Sequence, residues 1–253
     1  MIGIQADGGF PFLPATASSL SPIEFVRAAE RHYAALVAHD SAQRGLGGCL
    51  LYAGALDHAT RPLMVAANVA GAASLAVAAD PATQKQAARD GIADFLVTSL
   101  DEALRILKNE VRKHATVAVC VAAAPEELAH EMQERGVVPD LVAAAVAPQF
   151  FTARCIEPLA VSVSQVRLEW GVAAAPALWM PKLDEIARQC LPAEDVVAHR
   201  WLRLAPRYCG RAAIGLRVLR CLPSVAEQFS SRVAVAMTSG EMGVPVEIRT
   251  TAD

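Results

Sequence analysis

No apolar stretch in this 253-residue chain reaches the roughly 18 to 20 residues that a membrane-spanning helix needs, so a helical span is not expected although 54% of the residues are hydrophobic. Much of that fraction is alanine, about one residue in five, rather than long runs of Leu, Ile or Phe. The opening residues, Met1 to Gly9, lack a basic segment followed by an apolar one, and no secretory signal is expected. The six cysteines (Cys49, Cys120, Cys155, Cys190, Cys209 and Cys221) form no C-x-x-C pair; scattered free thiols suit a reducing, cytoplasmic setting. Cys49 and Cys120 fall in expected central strands and read as small core hydrophobes. No two histidines share a metal-like i, i+4 spacing with acids in support, so no metal site is expected. A formal charge of −3 exerts no whole-chain pull on nucleic acid, and no membrane association is expected.

What is present is a strand–helix rhythm. Residues 1–21, rich in Gly, Pro and Ser, read as an irregular arm, and Ser21-Pro22 with Glu24 opens a helix extending to about His39. Cys49 to Tyr52 is a strand, Pro62 to Gly71 a helix and Ser74 to Val77 a second strand ending at Asp80-Pro81. Pro81 to Asp90 is helical, Phe95 to Val97 a third strand, and Thr98-Ser99 caps the next helix. Thr116 to Val121, Pro125 to Gln133 and Asp140 to Val146 complete a strand, a helix and a fifth strand. Strands and helices alternating in this way imply an α/β fold, a doubly wound parallel sheet covered on both faces.

Beyond Pro148 the rhythm changes. Val161 to Trp170 alternates apolar with polar residues like a half-exposed strand; Pro181 to Cys190 and Glu194 to Leu204 read as helices, and Pro206 divides the latter from a third running to Leu222. Arg232 to Met237 and Val244 to Arg249 read as a terminal hairpin around Ser239-Gly240. The expected organisation is an arm (1–21), an α/β domain (22–150) and a C-terminal helical and hairpin module (151–253).

Several segments, in the right order, carry a family resemblance. They are Glu24 to Tyr33 before the first strand, Tyr52-Ala53-Gly54, Arg61-Pro62-Leu63, Val69-Ala70-Gly71 with Leu75-Ala76-Val77, Leu100 to Leu104, and Arg135 to Val142. Together they resemble the nucleotide-binding, Rossmann-like domain of urocanase (urocanate hydratase), an NAD-dependent lyase, over about half the chain. The resemblance implies NAD in a crevice at the carboxyl ends of the strands. Yet the family's loop Leu-Gly-Gly-Met-Gly-Gly-Ala-Gln-Pro-Leu corresponds here to Gly54-Ala55-Leu56-Asp57-His58-Ala59-Thr60, with one glycine, bulky side chains where the backbone should approach a pyrophosphate, and an acid of the wrong sign. The family's Glu after the second strand is Ala78, its Gly-Asn-Ala-Ala is Ala122-Ala123-Ala124-Pro125, and its polar run after the fifth strand is Ala143 to Pro148. Its catalytic body, with a cysteine-bearing glycine-rich motif, has no counterpart in this sequence.

Few groups could carry chemistry. Asp57 with His58 is the best-placed acid/base pair, against the simpler reading of a loop-capping Asp beside an exposed His. If a nucleotide binds, Gly54, Thr60 and Asp80 are its candidate contacts. His32, His39, His114 and His130 lie among charged residues and are expected to be solvated. Between Asp195 and Glu227 there is no acid, while Arg200, Arg203, Arg207, Arg211, Arg217 and Arg220 recur at helical spacings; the first four form a candidate anion site. That segment lacks glycine-flanked aromatics for base stacking, which weighs against nucleic acid.

The expected function is therefore a homo-oligomeric binding or structural protein that keeps the fold and holds no cofactor. The alternatives are an NAD-dependent lyase or hydratase with an altered site, and an anion- or nucleic-acid-binding module built on the arginine helices. A further expectation is that the module beyond about Pro158 covers the alanine-rich strand ends, in the same chain or from a second subunit, with Trp170, Trp179 and Trp201 as the large anchors.

Overall fold

A computed structural model of the chain describes residues 20–38, 45–144, 146, 151, 153–156 and 164–252. It contains a six-stranded parallel sheet in the order β3-β4-β2-β1-β5-β6, formed by β1 (Leu50–Ala55), β2 (Ala73–Val77), β3 (Phe95–Val97), β4 (Val117–Val121), β5 (Leu141–Ala143) and β6 (Arg154–Ile156). Helices α1 (Pro22–Val37), α2 (Thr60–Ala70) and α3 (Pro81–Arg89) precede β1, β2 and β3, and α4 (Leu100–Arg112) and α5 (Pro125–Glu134) precede β4 and β5. The chain leaves β1 toward β2 and returns from β4 to β5 on the other side of β1. The crevice between the carboxyl ends of β1 and β5 is therefore the topological switch point, where this kind of sheet offers room for a ligand.

Local chemistry explains the elements. Ser21 and Glu24 form a reciprocal capping box with Pro22 at the first turn of α1. Ser99 caps α4, and Gly71, at φ 93°, ends α2 in the left-handed region. Strands β2 and β4 are buried along their whole length, as central parallel strands covered on two faces must be. Leu51, Ala53, Ala76, Ala118 and Cys120 pack on one face under α1 and α2; Tyr52, Leu75, Val77, Val119 and Val121 pack on the other under α4 and α5.

The C-terminal part contains β7 (Val166–Gly171), α6 (Pro176–Cys190), α7 (Val196–Tyr208), a 3-10 turn (Gly210–Ala213), β8 (Leu216–Cys221), α8 (Pro223–Thr238) and β9 (Glu247–Thr251). Strands β8, β7 and β9 make a small antiparallel sheet. Its core joins that of α1 and α2: Trp170 packs on Phe229, Trp201 on Tyr33, and Tyr33 Oη donates to the Val197 carbonyl.

The fold class stands as expected, with four local corrections. Arg232 to Met237 lies inside α8, and the second half of the expected hairpin, β9, pairs with β7 instead. Arg217 and Arg220 lie on β8, so the arginines' helical spacing ends before them. Pro206 sits within α7 rather than dividing two helices, and α6 begins at Pro176 with Pro181 inside its first turns. Within the chain the module packs on α1 and α2 rather than over the strand ends, with Trp201 buried against Tyr33 of α1 and Trp170 against Phe229 of α8. Strand β6, with exposed Arg154 and Cys155, carries no alternation long enough to read. The expected arm through residue 19, His39, the strand start at 161–163 and the run at 147–148 lie outside the described residues.

Candidate functional site at the carboxyl ends of the strands

At the end of β1, Gly54 takes φ 74°, and a Cβ there would sit 3.0 Å from Val146 Cγ2, so the residue is glycine for its backbone and for the close approach of the β5 segment. The loop that follows is closed by its own side chains. Asp57 Oδ1 accepts from the N–H groups of Ala59 (2.8 Å) and Thr60 (2.9 Å) and from Thr60 Oγ1 (3.1 Å). Thr60 Oγ1 also donates to the Ala55 carbonyl at 2.5 Å and accepts from the Asp57 N–H at 2.9 Å. The Arg61 N–H is bonded to the Asp57 carbonyl, the Leu56 N–H to that of Val77, and Pro62 has no N–H to offer.

A helix N-terminus attracts an anion because its first N–H groups have no partner within the helix and the helix dipole is positive there. In α2 a carboxylate from the preceding loop fills that role. The donors that a dinucleotide pyrophosphate would use are already engaged, and the anion supplied is covalently attached.

Asp80, the remaining acid where a ribose would lie, is turned to the same kind of task. Its oxygens accept from Thr83 Oγ1 (2.7 Å) and from the N–H groups of Thr83 (2.9 Å) and Ala82 (3.2 Å), capping α3. The Thr83 hydroxyl first, and those amides next, hold its carboxyl below the usual range. Ala78, just past the end of β2, is buried and has no side-chain donor or acceptor. Gly54, Thr60 and Asp80 are thus brought to one edge of the sheet, but each is committed to the fold. The geometry does not fit NAD held in the usual dinucleotide manner.

Asp57 and His58 are neighbours without a hydrogen bond between them; both are exposed, and the carboxylate is directed into the loop. Tyr52, which sequence reasoning passed over, lies under this edge: its buried hydroxyl donates to the Pro125 carbonyl at 3.1 Å, its ring meets Phe151 edge-on, and burial pushes its pKa up to about 12. Only its place at an odd position of β1 signalled it. The tyrosine ties β1 to the start of α5 and is too basic to act as an acid near neutrality.

The arginines divide by role. Arg217 makes a buried pair with Asp184 through Nη2 at 2.8 Å, and Arg220 pairs with buried Glu30 at 3.1 Å. Arg200 is half-buried, with its guanidinium against Gly45. Arg203 and Arg207 on α7 and Arg211 on the 3-10 turn are exposed. Among the described residues no cluster of His, Cys, Asp and Glu could hold a metal ion, and no helix is long and apolar enough to cross a membrane.

Residues 35–148 match the urocanase family model described as the urocanase Rossmann-like domain. The matched region starts within α1 and runs past β5, so it contains the crevice and leaves the C-terminal module outside.

Proposed function

We propose, from the premise that residues 35–148 are a Rossmann-like domain of the urocanase type, that this chain is a non-catalytic binding or structural protein. In this reading it has kept the dinucleotide fold and no longer holds NAD as such folds do. The observation that carries the reading is the Asp57 carboxylate at the N-terminus of α2, bonded to the Ala59 and Thr60 amides. A pyrophosphate entering there would have to displace an internal anion and face its charge, at an edge where Ala55, Ala122 and Ala144 offer no compensating donor side chain.

Two further observations support it. The acid nearest a ribose position is consumed as a helix cap, and the carboxylate of the candidate acid/base pair is engaged by the Thr60 amide and hydroxyl.

The test is titration calorimetry of the full chain with NAD up to millimolar concentration. No saturable heat is expected; a dissociation constant in the micromolar range, about −8 kcal/mol, would overturn the reading.

A further inference from the structure

Two helices on opposite faces of the sheet carry opposite charge. The apolar side of α7 (Ala198, Trp201, Leu202, Ala205) packs with α1 and α2. Its outer side, continued by the 3-10 turn, presents Arg203, Arg207 and Arg211, and none of the three has a carboxylate partner among the described residues. The apolar side of α5 (Leu128, Ala129, Met132) packs on the other face with Tyr52 and Leu75. Its outer side presents Glu126, Glu127, Glu131 and Glu134, with Arg135 as the one strong local cation, paired to Glu131 and Asp101.

The ridges match in pattern. Arg203 and Arg207 are four residues apart, as are Glu127 and Glu131, so on each helix successive charges stand about 5–6 Å apart at Cβ. Each ridge also ends beside an exposed aliphatic side chain, Ile214 (54% exposed) past Arg211 and Val138 (66% exposed) past Glu134. Because the sheet lies between the two helices, the ridges cannot meet within one molecule.

We propose that the arginine ridge of α7 docks the glutamate ridge of α5 of a second copy of this chain. The contact is heterologous: each molecule offers the basic ridge on one side and the acidic ridge on the other, so association runs head to tail. A guanidinium fork engages a carboxylate with two parallel hydrogen bonds, giving such a contact orientation as well as attraction. The flanking Ile214 and Val138 supply apolar area at the ends of the charged strip. Nucleic acid is the less favoured occupant, since the chain is net negative and a phosphate backbone has no use for the aliphatic residues. The proposal is independent of whether NAD binds.

Sedimentation velocity of the full chain at low and high salt tests it. The wild-type chain should associate in a concentration-dependent way at low salt and lose that association as the Debye length shrinks. Arg203→Glu with Arg207→Glu, and separately Glu127→Lys with Glu131→Lys, should each abolish it. Arg203, Arg207 and Glu127 are exposed and Glu131 is half-exposed, and an unchanged thermal melt would establish that both variants are folded. Mixed together, the two variants should co-assemble in a one-to-one ratio into alternating head-to-tail oligomers, because the reversed α7 of one meets the reversed α5 of the other and their unreversed ridges remain complementary.

A wild-type chain that stays monomeric at all concentrations would overturn the proposal, and so would variants that associate like wild type or a mixture that stays monomeric. A monomeric wild-type chain that binds a DNA duplex through Arg203 and Arg207 would overturn it in favour of a polyanion.

Discussion

His32 sits on α1 with its Nδ1 buried and without a hydrogen-bond partner, and burial first, then the neighbouring Arg31, push its pKa down to about 4. An unfolded chain would protonate the same imidazole near 6.5. Between those two values the unfolded state binds more protons than the folded one, so stability contributed by neutral His32 is present above pH 6.5 and is lost as pH falls toward 4. Glu30 and Asp184 act with the opposite sign, because burial raises both in the folded state despite their arginine partners. A comparison of variants separates them. In His32→Leu the loss of stability between pH 7 and pH 5 should shrink by on the order of 1–2 kcal/mol, read from urea melts at the two pH values. An identical loss in both proteins would show that His32 is not the group responsible. At this scale the sequence was legible for Asp57, whose capping role follows from an Asp three residues before a helix. His32 was read as solvated, because nothing on α1 alone reveals that its Nδ1 is buried in the folded chain.

Helix α1 is the element that joins the two parts of the molecule. Arg27 reaches β7 and donates to both carboxylate oxygens of Glu169 through Nε and Nη2, at 2.6 and 2.7 Å, and Arg167 adds a bond at 3.0 Å. Glu169 is 0% exposed, so this carboxylate depends on its partners for all of its solvation. Removal of Arg27 as Arg27→Ala should therefore destabilise the protein by about 3 kcal/mol in equilibrium denaturation. The exposed pair of Arg135 with Asp101 should show no resolvable change on the same test. A small effect at Arg27 would mean that Arg167 alone suffices. Element type was legible wherever caps and long periods agree, as in α4 and β4. The segment from Arg232 to Met237 misled because six alternating residues fit a strand, whereas the buried set Val225, Phe229, Val233 and Ala236 shows the helical period only over a longer window.

Across the whole molecule, the C-terminal part covers α1 and α2 rather than the crevice. Every residue of α2 except Arg61 is buried, including Met64, Val65 and Val69. A helix apolar on nearly all sides has to be covered on all of them. A fragment ending near Phe151 would bare the side that α7 covers, and it should aggregate or melt without cooperativity. A monomeric fragment with a sharp calorimetric transition would show that the α/β part is self-sufficient. The same arrangement leaves the outer faces of α7 and α5 available to the head-to-tail contact.

The sequence by itself determined the parallel α/β class, the positions of five of the sheet's six strands, and the loss of glycines and polar groups at the strand ends. These are written in local period, caps and residue type, each acting within a few positions of the chain. Tertiary structure alone decided where the arginines go: Arg217 and Arg220 into buried pairs with Asp184 and Glu30, Arg203 and Arg207 to the surface. A charge in sequence is only a valence; its partner is chosen by which elements the hydrophobic cores bring within about 3 Å, and that choice couples residues as far apart as Glu30 and Arg220.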